Sequence, residues 1–180
     1  MGELSSSNFG LVIAYLLPGF FVLVALERFS PLLQTWMGHG GAALPTASGF
    51  LYVTLASTAV GLLLHTVRWL VLDRIHHRTG VQKPEWDFGV LQKQLGAFEL
   101  INESHYRYFQ AYGNGLVAVI VVFAVKQWSD GPSVNWMDIG LLAIGTLLFV
   151  ASRDALRKYY RRGEGMLNRV GRTASGEISD

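Results

Sequence analysis

The side chains able to do chemistry in this 180-residue chain are few, and the most suggestive of them lie inside long apolar runs. His65 is followed by Arg68 and Trp69 at i+3 and i+4, so the three share one face of a helix. Ionisable groups at membrane depth are expensive to bury and mark ion or substrate pathways, and an intramembrane polar site is what this spacing suggests. A plainer reading has Arg68, one turn from the end of its run, snorkelling to the headgroups while His65 bonds to a neighbouring helix. Asn114 lies one to two turns inside another run, where an unpaired amide is costly. It is expected to bond across to a second helix, as packing glue before any binding role.

Other chemistries find no support. His76 and His77 are adjacent, which turns their rings about 100° apart on a helix, and no HExxH-like spacing accompanies them. His39 stands alone between glycines. With no cysteine there is neither disulfide nor thiolate chemistry, and the usual sulfur ligands of structural zinc are missing. The sequence contains no nucleophile elbow, phosphate-binding loop or dinucleotide fingerprint, and no paired intramembrane aspartates. The expectation is a protein that is not an enzyme and uses no metal and no cofactor.

The elements that must position these residues are membrane helices. Phe9 to Leu26 reads FGLVIAYLLPGFFVLVAL, with no charge over a length that nearly crosses a bilayer's roughly 30 Å of hydrocarbon. Its leading residues carry Glu3 and no Lys or Arg, unlike the basic start of a secretory signal, so it is read as a mature helix. Three further runs follow, giving spans of about 9–28, 47–72, 107–128 and 136–156. Pro18-Gly19 predicts a kink in the first, because proline removes a helical hydrogen bond and crowds the carbonyl four residues earlier. Ser57 and Gly61 form a small-xxx-small pair in the second span, suited to close helix approach. Pro31 and the glycines at 38, 40 and 41 confine the first loop to a short segment near Leu32–Met37. Asn135 with Asp138 three residues on marks the start of the fourth span, a cap plus an acid in the first turn.

Between the second and third spans lies the largest polar stretch. Past Pro84 it becomes amphipathic, with Phe88, Leu91, Leu95 and Phe98 recurring every three or four residues over about 86–101. Too short to span, it is expected to lie on the membrane surface or against a partner. Tyr106, Arg107 and Tyr108 then form an aromatic belt at the entry to the third span. The fold expected is all-α, a four-transmembrane-helix bundle in one domain over 1–162 with an amphipathic cytoplasmic helix between spans two and three. A mobile cytoplasmic tail is expected over 163–180.

Charge sets the orientation. Of the fifteen Lys and Arg residues, all but Arg28, Lys126 and the intramembrane Arg68 fall on the side of the two termini and the 73–107 segment, which the positive-inside rule assigns to the cytoplasm. Arg153, Arg157, Lys158, Arg161 and Arg162 cluster beside the membrane and should attract anionic headgroups, about 1 kcal/mol per residue near the surface. A net charge of +2 without a binding motif gives no reason to expect nucleic acid.

With LLPGF at the centre of its first helix and HYRYFQAYGNG at the entry to the third run, the chain resembles small multi-pass bacterial inner-membrane proteins of uncharacterised function. That resemblance implies a bacterial inner-membrane setting and brings no catalytic residues. The function expected is an oligomeric membrane subunit that anchors or regulates a cytoplasmic protein, as a membrane sensor in a stress or phage-defence system. The alternative is an oligomeric channel or transporter-like protein with a polar route near His65, Arg68 and Asn114.

Overall fold

The computed structural model describes residues 10, 12–39, 47–86, 89, 92, 95–131 and 133–174, with side chains to residue 167, and contains only helices and connecting turns among them. Four helices are long and apolar enough to cross a membrane: α1 (Val12–Phe29), α3 (Ala47–Arg78), α4 (Leu95–Asp130) and α5 (Trp136–Ala174). The short α2 (Pro31–Met37) follows α1. It is capped by Ser30, whose hydroxyl accepts from Leu33 N, and closed by Gly38 at φ 81°, a left-handed conformation that glycine adopts without strain. Trp36 of α2 lies against Tyr52 of α3.

The packing is uneven. α1 lies in a groove between α3 and α4, whereas α5 packs chiefly along α4 and leaves most of its length exposed. Without a hydrophobic drive between helices inside a bilayer, close association rests on small residues, and α1 meets α3 through them. A methyl group on Gly19 would stand 1.8 Å from the Ser57 carbonyl oxygen and 2.8 Å from Gly61 N, and one on Gly61 would stand 2.1 Å from the Tyr15 carbonyl oxygen. Backbone therefore touches backbone where Tyr15 and Gly19 cross Ser57 and Gly61.

Three of the spans contain a π turn: Val12–Leu16 in α1, Arg68–Leu72 in α3 and Asn102–Tyr106 in α4. The first directly precedes Leu17 and Pro18, so the disturbance expected from the proline takes the form of a widened turn on its N-terminal side.

Two boundaries differ from the sequence reading. Leu95–Ile101 is not a separate surface helix; it continues through the π turn into the third span, because nothing between Leu95 and Tyr106 breaks a helix. Nor does the fourth helix end near residue 162. It runs to Ala174, with Leu167 buried and Gly163 lying under the Trp86 ring, where a methyl group would stand 3.0 Å from Cζ2.

Candidate functional site

The second half of α3 carries one polar side chain after another toward each of the other spans. His65 comes first, its ring 5.3 Å from that of Tyr15 on α1. Arg68 is next and is enclosed by protein, where the snorkelling reading has it extended outward. It is 0% exposed, with its guanidinium carbon 4.5 Å above the Phe109 ring of α4. Its Nη1 donates to Asp73 Oδ1 at 3.0 Å. In an α-helix residues five apart point about 140° from one another, and the π turn over Arg68–Leu72, with its i→i+5 bonding, brings the two onto one side. Gly113 makes room, since a methyl group there would meet Arg68 Cδ at 2.6 Å. Trp69, placed by spacing on the face of His65, points outward and is exposed.

One and two turns further on, α3 is tied to α5. His76, fully buried, has Nε2 3.2 Å from Ser152 Oγ and its ring beside Phe149. His77 Nε2 lies 3.1 Å from the Tyr160 hydroxyl. Arg153, expected at lipid headgroups, instead donates from its guanidinium to the hydroxyl and carbonyl of Thr79, the residue that ends the helical part of this segment. Lys158, itself exposed, pairs with Asp154 at 2.6 Å, and Arg157, Arg161 and Arg162 are the other exposed basic side chains of the group.

Asn114 is also fully buried, and its Nδ2 donates to the Ala14 carbonyl of α1 at 2.7 Å. That carbonyl is the one four residues before Pro18, which has no N–H to offer it. The amide of α4 thus completes a hydrogen bond that the sequence of α1 cannot make. The kink residues and Asn114, which spacing treated as separate, form one arrangement.

At the start of α4 and the far part of α5 an aromatic cluster holds the segment between spans two and three. Trp86 stands edge-on to Phe98 and Tyr159, with centroids 5.4 Å away in each case, and Tyr106 lies 5.0 Å from Tyr159. Val81, Phe109 and Leu156 close the cluster from below. Of the four residues in the amphipathic pattern, Phe98 packs here and Leu95 is exposed; Phe88 and Leu91 lie outside the described residues.

At the opposite end is a pair that sequence reasoning missed. Lys126 Nζ lies 2.8 and 2.9 Å from the two oxygens of Asp138, and both residues are buried. Asp138 also accepts from Asn135 N at 2.9 Å while Asn135 Oδ1 accepts from Asp138 N at 3.2 Å, a reciprocal cap. The signal was present: a lysine in the last turn of one apolar run and an acid in the first turn of the next. Arg28 and Asp130 form a second, exposed pair at this end, at 2.9 Å.

Among the described residues no group of three His, Asp or Glu side chains is placed to hold a metal ion, and no nucleophile stands beside a base and its orienting partner. The polar groups hold helices to one another. Comparison with family models, with curated proteins and with solved structures found no match to this chain.

Proposed function

We propose that this chain is a small membrane-embedded subunit that anchors or regulates a protein on the side of its basic residues. One observation carries the reading: the polar segment between the second and third spans is braced, through Trp86, Phe98 and Tyr106, against Tyr159 and Tyr160 of a helix that continues outward from the bundle. A rigid aromatic base with Arg157, Arg161 and Arg162 exposed beside it is a suitable platform for a partner. The charge bias supports a cytoplasmic position for this platform and both termini, and the resemblance noted above suggests a bacterial inner membrane. Oligomerisation, and a role as a sensor in stress or phage defence, belong to the same proposal. Arg68 and Asn114 direct their polar groups into a single chain, which favours anchoring over a polar route between protomers.

The test is co-purification from gently solubilised membranes with Arg157 and Arg161 changed to Glu, beside an Arg28→Glu control at the other end. A stoichiometric partner lost only in the platform variant is the expected result. A bare homo-oligomer, or a partner indifferent to both changes, would overturn the proposal.

A further inference from the structure

Between α1 and α5, over a floor provided by α4, the packing leaves a trough open. Its deep part, about 410 Å³, is lined by Leu17, Pro18 and Phe21 of α1, Gly115 and Val119 of α4 and Leu148 of α5. Its mouth, about 330 Å³, lies beside the start of α1 and holds Glu103, Ser104 and Arg107. Ile13, Tyr108 and Ala111 line both parts, so the two adjoin. The floor from Tyr108 to Val122 is about 21 Å long at 1.5 Å per residue, and one leaflet supplies about 15 Å of hydrocarbon, half of roughly 30 Å. An acyl chain therefore fits lengthwise.

The mouth selects the headgroup. Arg107 Nη2 lies 3.3 Å from Glu103 Oε1, so a cation and an anion sit one helical turn apart, both partly exposed. Ser104 Oγ donates to the Leu100 carbonyl at 2.7 Å, and its lone pairs remain as acceptors. A guanidinium suits a phosphate and a carboxylate suits an ammonium, and both ligand charges must belong to one molecule attached to an apolar tail. We propose that the trough seats a zwitterionic phospholipid bearing a primary ammonium, phosphatidylethanolamine, with its phosphate at Arg107, its ammonium at Glu103 and Ser104, and one acyl chain along Leu17, Gly115 and Leu148. This site is distinct from the basic cluster on α5, whose charge suits anionic lipid. It rests on the membrane-spanning reading and is independent of any protein partner.

The full chain is reconstituted in vesicles of equal parts phosphatidylethanolamine, phosphatidylglycerol and phosphatidylcholine, and retained lipid is read by native mass spectrometry. The expected result is retention of phosphatidylethanolamine at about fivefold over either of the other two lipids, the size of one partly exposed charged contact. Phosphatidylcholine, whose quaternary ammonium donates no hydrogen bond, and phosphatidylglycerol, which has no cation, should not be enriched. Glu103→Gln with Arg107→Gln should abolish the preference, and Leu17→Trp should expel the chain from the trough. In the wild type, a photoreactive group on the acyl chain of phosphatidylethanolamine should label 13–21 and 111–122. Equal retention of the three lipids, labelling elsewhere, or a dimer that excludes lipid from the trough would overturn the assignment. Failure of the chain to float with vesicles at all would refute the membrane reading itself, and this site with it.

Discussion

Pro18 gives α1 no N–H for the Ala14 carbonyl, and Asn114 Nδ2 occupies that place from α4 at 2.7 Å. Changing Asn114 to Leu removes the donor at nearly constant volume and leaves the carbonyl unpaired where water does not reach. Changing Pro18 to Ala restores a backbone N–H able to reach the same oxygen within α1. The effects are therefore coupled: Asn114→Leu should be more harmful in the wild-type background than in the Pro18→Ala background. Intramembrane hydrogen bonds contribute about 0.6 to 2 kcal/mol, so a coupling of about 1 kcal/mol is expected. Asn114 Oδ1 has no hydrogen-bond partner among the described residues, and losing it in the Leu variant is favourable. That gain enters both backgrounds and cancels in the double-mutant cycle. Unfolding of the full chain in mixed micelles, titrated with a denaturing detergent and followed by circular dichroism, supplies the four free energies. Additivity within about 0.5 kcal/mol, the ordinary scatter for independent sites, would show that the two residues do not share this carbonyl.

Two further outcomes follow from the packing. Gly19→Ala should cost about 1 to 3 kcal/mol, because its methyl group would meet the Ser57 carbonyl at 1.8 Å and force two backbones apart; Gly140→Ala, with nothing within 4 Å, should leave the same unfolding curve unchanged or slightly more stable, and equal effects at the two sites would refute the close crossing. Lys126→Met should lower stability by leaving Asp138 without its cation, and by more than Arg28→Ala, which opens an exposed pair and should stay within about 1 kcal/mol. A Lys126→Met chain as stable as wild type, read by the same unfolding measurement, would mean that the pair is hydrated.

The sequence by itself determined the number of helices long and apolar enough to cross a membrane and the uneven distribution of charge, because each follows from a run length or composition that no neighbour can alter. It also marked Ser57 and Gly61 as a point of approach and Asn135 with Asp138 as a helix start, both local patterns. It did not separate a surface helix over 86–101 from the beginning of α4, since the periodicity of an amphipathic helix is the same lying on a membrane or rising from it. Only the tertiary structure decided which partner each polar group takes. Arg68 faces inward because Gly113 and Phe109 of α4 leave it a place and a π turn brings Asp73 within reach. Arg153 binds Thr79, and Lys126 finds Asp138, across helix pairs whose rotation about their axes no local pattern specifies. Burial in hydrocarbon obliges a polar side chain to find a partner, but the identity of that partner depends on which helix faces are brought together.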